Sequence, residues 1–222
     1  MNSMDVVRFK QLPILGIMRG IGPEDLEPLL ATVESSGLKT IEITMNTEGA
    51  ARLIRKAVAL SGKRLTIGAG TVLDMKSLKS ALDAGASFIV MPVLVRDVMA
   101  YCVKHRIPAF PGALTPSEIH AAWLAGAAMV KVFPSGLWGP EYFREIKGPL
   151  NDVELLACGG VTPRNLGSYF AHGAGAVSFG GSVFKKEWLL QKDFQKIARS
   201  IREYIREFRS IKTTSPVSLK PR

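Results

Sequence analysis

Cysteine, histidine and long apolar runs are all scarce in this chain, whose 222 residues include two cysteines and three histidines. Cys102 and Cys158 form no metal or redox motif, and they supply no disulfide framework. His105, His120 and His172 fall on helix-like stretches or at their ends, and the sequence pattern offers them no acidic partner or ligand spacing. Neither a metal site nor a Ser-His-Asp triad has support from them. No apolar run approaches the ~18 residues needed to cross a bilayer. The opening MNSMDVVRFKQL lacks the sustained apolar segment and small-residue cleavage site of a secretory signal, so a cytoplasmic protein is expected. Acidic side chains are also in short supply, 19 against 29 Lys and Arg, for a net charge of +10. Half of that excess lies in residues 199–222, where seven cations face Glu203 and Glu207. A solvated basic tail accounts for this segment without a partner, and no nucleic acid or membrane is expected to bind. The rest of the excess is spread thinly and suits a funnel for a small phosphorylated acid.

What is present is repetition. Short apolar or β-branched runs recur at residues 14–19, 40–45, 65–71, 88–92, 108–113, 129–134, 154–160 and 176–182. Their starts lie roughly 20–26 residues apart, enough for a strand, a helix and two short loops. Helix-like stretches fill the gaps. Some open with capping chemistry, Thr115 with Glu118 and Thr162 before Pro163, and several close at glycine, Gly37, Gly85, Gly126 and Gly173. Strict alternation implies a parallel sheet, and eight units allow closure into a (β/α)8 barrel. An open doubly wound sheet would want a glycine fingerprint after the first strand, and none stands there. GAGAVS at 173–178 enters a strand rather than a helix. The expectation is one α/β barrel domain over residues 1–209, closed by an amphipathic helix over 191–209 with Phe194, Ile197, Ile201, Ile205 and Phe208 on one face, and a polar, basic, disordered tail over 210–222.

Charges inside parallel barrel strands are informative because such strands are usually apolar throughout. In Met-Val-Lys-Val-Phe, alternation turns Val130 and Val132 to the helices and Met129, Lys131 and Phe133 to the axis. Desolvation there favours the neutral amine, the form that attacks a carbonyl. The alternative is a strand-end lysine paired with a carboxylate. In Thr-Ile-Glu-Ile-Thr the same rule puts Glu42 on the axis, as a proton shuttle, as the buried counter-ion of Lys131, or as both. Arg19 ends the first strand on the C-terminal rim, where it suits a carboxylate or is a plain surface residue. Gly159–Gly160 and Gly180–Gly181–Ser182 end strands seven and eight, the recurrent phosphate site of this fold, or are merely tight turns. The small Gly68–Ala69–Gly70 leaves room beside the axis, and Thr71 can hydrogen-bond a keto acid.

The motifs IEITMNTEGA (41–50), IGAGTVL (67–73), FIVMP (88–92), PGALTPSE (111–118), VKVFP (130–134) and GGVTP (159–163), in this order, carry a resemblance. Over roughly residues 8–208 the chain resembles the 2-keto-3-deoxy-6-phosphogluconate (KDPG) aldolase / 4-hydroxy-2-oxoglutarate (KHG) aldolase family. The resemblance implies a homotrimeric, metal-independent class I aldolase with no cofactor beyond a covalent lysine imine, releasing pyruvate and an aldehyde. It implies Lys131 as the imine-forming lysine and Glu42 as the general acid/base. Arg19, Asn46, Thr71, Pro92 and Phe133 would hold the pyruvyl portion, and Gly159, Gly160, Gly181 and Ser182 the phosphate. Two positions depart from many bacterial members, Asn46 in place of arginine and Cys158 in place of threonine. Members acting on the galactonate epimer carry asparagine at the first position, which keeps 2-keto-3-deoxy-6-phosphogalactonate open as the substrate. A phosphosugar isomerase or epimerase would use the same glycines without an imine. A catalytically silent barrel with a nucleic-acid-binding tail would show salt-dependent binding.

Overall fold

The computed structural model describes residues 3–214. Its strands are β1 (Ile14–Met18), β2 (Thr40–Thr44), β3 (Thr66–Gly70), β4 (Ile89–Val90), β5 (Ala109–Phe110), β6 (Gly112–Ala113), β7 (Val130–Val132), β8 (Leu155–Cys158) and β9 (Ala174–Phe179). Every pairing is parallel, in the order β5-β4-β3-β2-β1-β9-β8-β7-β6. The two ends of that order, β5 and β6, are separated only by Pro111. Proline has no N–H to give to a ladder, so it divides what is physically one strand. Its carbonyl still accepts from the Lys131 N–H at 2.9 Å. The sheet therefore closes into the eight-stranded barrel expected from the repeats.

Among the described residues the α-helices are α1 (Val6–Phe9), α2 (Pro23–Ser35), α3 (Ala50–Ser61), α4 (Met75–Asp83), α5 (Arg96–Lys104), α6 (Pro116–Leu124), α7 (Glu141–Lys147), α8 (Pro163–Ala171), α9 (Lys186–Leu190) and α10 (Phe194–Thr214), with one 3-10 turn at Ser135–Leu137. The capping box expected at Thr115 forms: its hydroxyl accepts from the Glu118 N–H, and the Glu118 carboxylate accepts from the Thr115 N–H at 2.9 Å. Thr162 caps α8 in the same way, with Asn165 as its partner. The four helix-closing glycines named above all take a left-handed φ, between 88° and 97°. On α10, Ile197, Ile201, Ile205 and Phe208 are buried, and the helix packs against α2 and α8. It runs to Thr214 rather than stopping at residue 209, so the start of the expected tail is helical. Residues 215–222 lie outside the described residues.

Two apolar layers follow from strand alternation. Ile41, Ile43, Val130 and Val132 belong to the layer between strands and helices. Leu15, Phe88, Val90, Phe110, Met129, Leu156 and Ala176 fill the barrel interior. Met4 and Phe9, from the N-terminal segment, join that inner cluster. Asp5 caps α1 by accepting from the Arg8 N–H, and the Met4 N–H donates to the Ser87 carbonyl at 3.0 Å. Phe9 then sits 6.2 Å from the Phe110 ring, which meets Phe88 edge-on at 5.8 Å. The short α1 thus plugs the N-terminal end of the barrel, a role that four residues with no visible periodicity do not announce. Phe9→Ala is expected to destabilise the fold by about 3–5 kcal/mol, since the ring leaves a cavity that flanking aromatics cannot fill. Chemical denaturation measures it, and a loss below about 1 kcal/mol would mean that α1 is only loosely seated.

Candidate active site

With Val130, Val132, Ile41 and Ile43 in the outer layer, Lys131 and Glu42 are left on the inner face, 5% and 1% exposed. Their strands lie on opposite sides of the eight-membered ring, so the two side chains approach each other across the axis. Lys131 Nζ also lies 5.3 Å from the centroid of the Phe133 ring, two residues up the same face. Glu42 rests on Gly70 of the neighbouring β3, where a Cβ would collide with its carboxylate. Its Oε2 is buried and has no hydrogen-bond partner among the described residues. Burial pushes the Glu42 carboxyl above its ordinary 4.5, against the opposing pull of the Lys131 ammonium and the Arg19 guanidinium. A carboxyl so held can take up and release a proton nearer neutrality than a surface glutamate can.

Arg19 follows β1 at the C-terminal rim and is exposed. Its Nη2 donates to Thr71 Oγ1 over a long 3.4 Å. Thr71 itself has φ of +54°, a conformation unfavourable for a β-branched residue. The strain turns the residue just past β3 out of the strand direction, and its hydroxyl meets Arg19. Pro92 follows β4 and is half-buried. Its carbonyl occupies the space a side chain at Gly112 would need, and Gly112 pairs with Lys131 in the ladder. Phe133 is 40% exposed, an aromatic ring open to the mouth of the barrel. Cys158 is buried on the inner face of β8 and packs with the interior cluster. Asn46, two residues past β2, is exposed and makes no side-chain hydrogen bond among the described residues.

Gly159 packs on Phe133 and Pro134, and its carbonyl accepts from Ser135 Oγ at 2.7 Å. Gly160, at φ +78°, lies so close to Gly136 that a Cβ would fall 2.6 Å from the Gly136 Cα. The loops after β7 and β8 are thereby locked together, which requires glycine on both sides. After β9, Gly181 is exposed with open space around its Cβ direction, and Ser182 Oγ lies 3.5 Å from the Tyr204 hydroxyl. Tyr204 in turn donates to the Val161 carbonyl at 2.7 Å, tying α10 to the loop after β8. Sequence reasoning missed Tyr204 and Ser135. Neither carries a local signal, because each acts on a loop distant in the chain. A cleft of about 570 Å³ at the opposite end, lined by Arg8, Lys39, Lys63 and Arg64 among others, contains none of these residues. No group of three or more His, Cys, Asp or Glu among the described residues is placed to hold a metal ion.

A family model described as KDPG and KHG aldolase matches residues 6–200. The chain is 32% identical over 206 residues to the 2-dehydro-3-deoxy-phosphogluconate aldolase of Pseudomonas aeruginosa, covering 89% of this chain and 88% of that one. It is 30% identical over 195 residues to the 2-dehydro-3-deoxy-6-phosphogalactonate aldolase of Escherichia coli K12, covering 87% and 95%. Among solved structures, one described as native KDPGal superposes with a TM-score of 0.85 at 28% identity, covering 91% of this chain and 97% of the other.

The raised Glu42 carboxyl makes a prediction about stability. The folded chain holds this proton more tightly than the unfolded one, so stability falls as pH rises above 4.5, through the folded-state value. Glu42→Gln keeps a neutral group at every pH. Its melting temperature relative to the native chain should therefore rise between pH 4 and pH 8. A gap independent of pH would show that Lys131 and Arg19 cancel the cost of burial.

Proposed function

The chain belongs to the KDPG and KHG aldolase family, and from that premise we propose that it cleaves 2-keto-3-deoxy-6-phosphogluconate to pyruvate and glyceraldehyde 3-phosphate through an imine on Lys131. Cleavage of 4-hydroxy-2-oxoglutarate to pyruvate and glyoxylate belongs to the same proposal. The observation that carries it is the burial of Lys131 on the inner barrel face, across the axis from Glu42 and its unpartnered oxygen.

The free amine of Lys131 attacks C2 of the keto acid. Glu42 supplies the proton with which the carbinolamine hydroxyl leaves as water, giving the protonated imine. As carboxylate it then accepts the proton of the C4 hydroxyl. The C3–C4 bond breaks, its electrons pass into the imine as an enamine, and the aldehyde departs. Protonation at C3 regenerates the imine, and hydrolysis releases pyruvate and the amine. The electron sink is the lysine imine itself, so the reading calls for no further cofactor. Arg19 forms a charge-assisted fork on the substrate carboxylate, whereas Asn46 can offer only a neutral hydrogen bond. Thr71, Pro92 and Phe133 shape the pyruvyl pocket. Backbone N–H groups near Gly159, Gly160, Gly181 and Ser182 receive the phosphate. The galactonate epimer is a second reading, favoured by Asn46 where many relatives have arginine, and assays with both epimers separate the two. A cytoplasmic homotrimer completes the proposal, and no helix among the described residues is long and apolar enough to cross a membrane.

Incubation with pyruvate and borohydride should add a reduced pyruvyl group of about 72 Da at Lys131, located by peptide mass spectrometry. Active enzyme labelled at another lysine, or not at all, would exclude this nucleophile. Glu42→Gln should lower turnover by about 10²–10⁴ while the chain stays folded.

The phosphate end is tested at Gly181, where open space lets a larger side chain enter without a clash. Gly181→Leu should raise KM for the phosphorylated substrate at least tenfold more than for 4-hydroxy-2-oxoglutarate, on the order of one lost charge-assisted contact. Equal effects on both substrates would place the phosphate elsewhere.

A further inference from the structure

Arg19 is held at both ends. Its guanidinium reaches Thr71, as described, and its backbone is held by a separate group. The N–H of Gly20, the other half of the Arg19–Gly20 peptide, donates to Thr47 Oγ1 at 2.9 Å. Gly20 has φ of +63°, so the chain turns sharply at the residue after Arg19. Thr47 is 5% exposed, and its hydroxyl lies 3.0 Å from that of Thr44, which is fully buried. The Thr47 N–H donates to the Thr44 carbonyl at 2.9 Å, and the Met45 N–H donates to Gly70 at 2.7 Å. The turn after β2 is therefore tied to the end of β3 on one side and to the Arg19–Gly20 peptide on the other. Among the described residues, the Thr47 side chain hydrogen-bonds only to Gly20 and Thr44.

We propose that Thr47 is a positioning residue: its hydroxyl fixes the Arg19–Gly20 peptide, so that the Arg19 guanidinium presents a preset fork to the substrate carboxylate. This rests on the assignment of Arg19 to that carboxylate. An exposed arginine has several rotatable bonds, and a fork discriminates only when its root is fixed. The Thr71 contact, at 3.4 Å, is too long to fix it alone. The Thr47 hydroxyl can accept from Gly20 and share one proton with Thr44, a pair of bonds that serine can reproduce and valine cannot.

The test is a double-mutant cycle on pyruvate exchange, the uptake of solvent deuterium by the pyruvate methyl group. This reaction needs the imine but neither the aldehyde nor the phosphate. Thr47→Val should raise KM for pyruvate roughly tenfold, with kcat changed by less than about twofold. Thr47→Ser should restore both parameters. In the Arg19→Ala background, adding Thr47→Val should change KM by less than about twofold, because nothing is left to position. The same factor in both backgrounds, a fall in kcat alone, or no rescue by serine would overturn the proposal and leave the Arg19 assignment standing. An unchanged KM in Arg19→Ala alone would refute the carboxylate assignment and the positioning role with it. Circular dichroism reports folding, and if Thr47→Val does not fold, Thr47→Ala removes the same acceptor and runs through the same cycle.

Discussion

The constraint on which this structure turns is the burial of two ionisable groups in a barrel interior. Lys131 and Glu42 come from strands on opposite sides of the ring, and neither is a neighbour of the other in any ladder. Only closure brings them within electrostatic range. In an open sheet with the same strand order they would be separated by three intervening strands. Removing both groups from water is costly, and Coulombic attraction recovers that cost only in part. The raised Glu42 carboxyl expresses the balance, for desolvation outweighs two cations. An apolar pair at these positions would make a more stable barrel, so the stability forgone is tied to the chemistry proposed.

Space for this pair is created by what lies beside it. Gly70 leaves the volume that Glu42 occupies, and Gly68, two residues earlier, leaves the volume taken by the Phe88 ring. One strand thus serves both halves of the interior. Toward the N-terminal end, Phe88 joins Phe110, Phe9 and Met129 in a dry plug. Toward the C-terminal end, the same small-residue strand admits a carboxylate. The plug excludes water beneath the pair and helps to keep the local dielectric low.

Most of the architecture was legible from local pattern. The eight beats, the caps at Thr115 and Thr162, and the inner faces of Lys131 and Glu42 all follow from periodicities of two and of about 3.6 residues. Three kinds of feature were not. Pro111 splits a strand, which makes nine strand segments out of eight beats. Helix α1 is too short for any periodicity, and only its docking on Phe110 gives it a role. Tyr204 and Ser135 support loops far away in sequence, and a single amino-acid sequence carries no sign of such pairings. Asn46 is exposed, and its assignment to the pyruvyl pocket rests on the motif IEITMNTEGA rather than on periodicity.

The hydroxyls near the pair show how selectively the interior is satisfied. Thr44, two residues beyond Glu42 on the same inner face, bonds to Thr47. Ser178, inward on β9, donates to the Ala157 carbonyl at 3.2 Å. Thr71 accepts from Arg19. Each commits its hydroxyl to backbone or to a rim residue, and none donates to Glu42 Oε2. A donor aimed at that oxygen would favour the ionised carboxylate and pull its pKa down, making it a poorer proton acceptor. Leaving it without a protein donor keeps the carboxyl basic and one lone pair available to a reacting group. The same choice costs stability, since a buried acceptor without a partner is unfavourable. Proton exchange by Glu42 is therefore prepared by withholding contacts as much as by making them, and the hydroxyls so freed tie down the rim on which Arg19 stands.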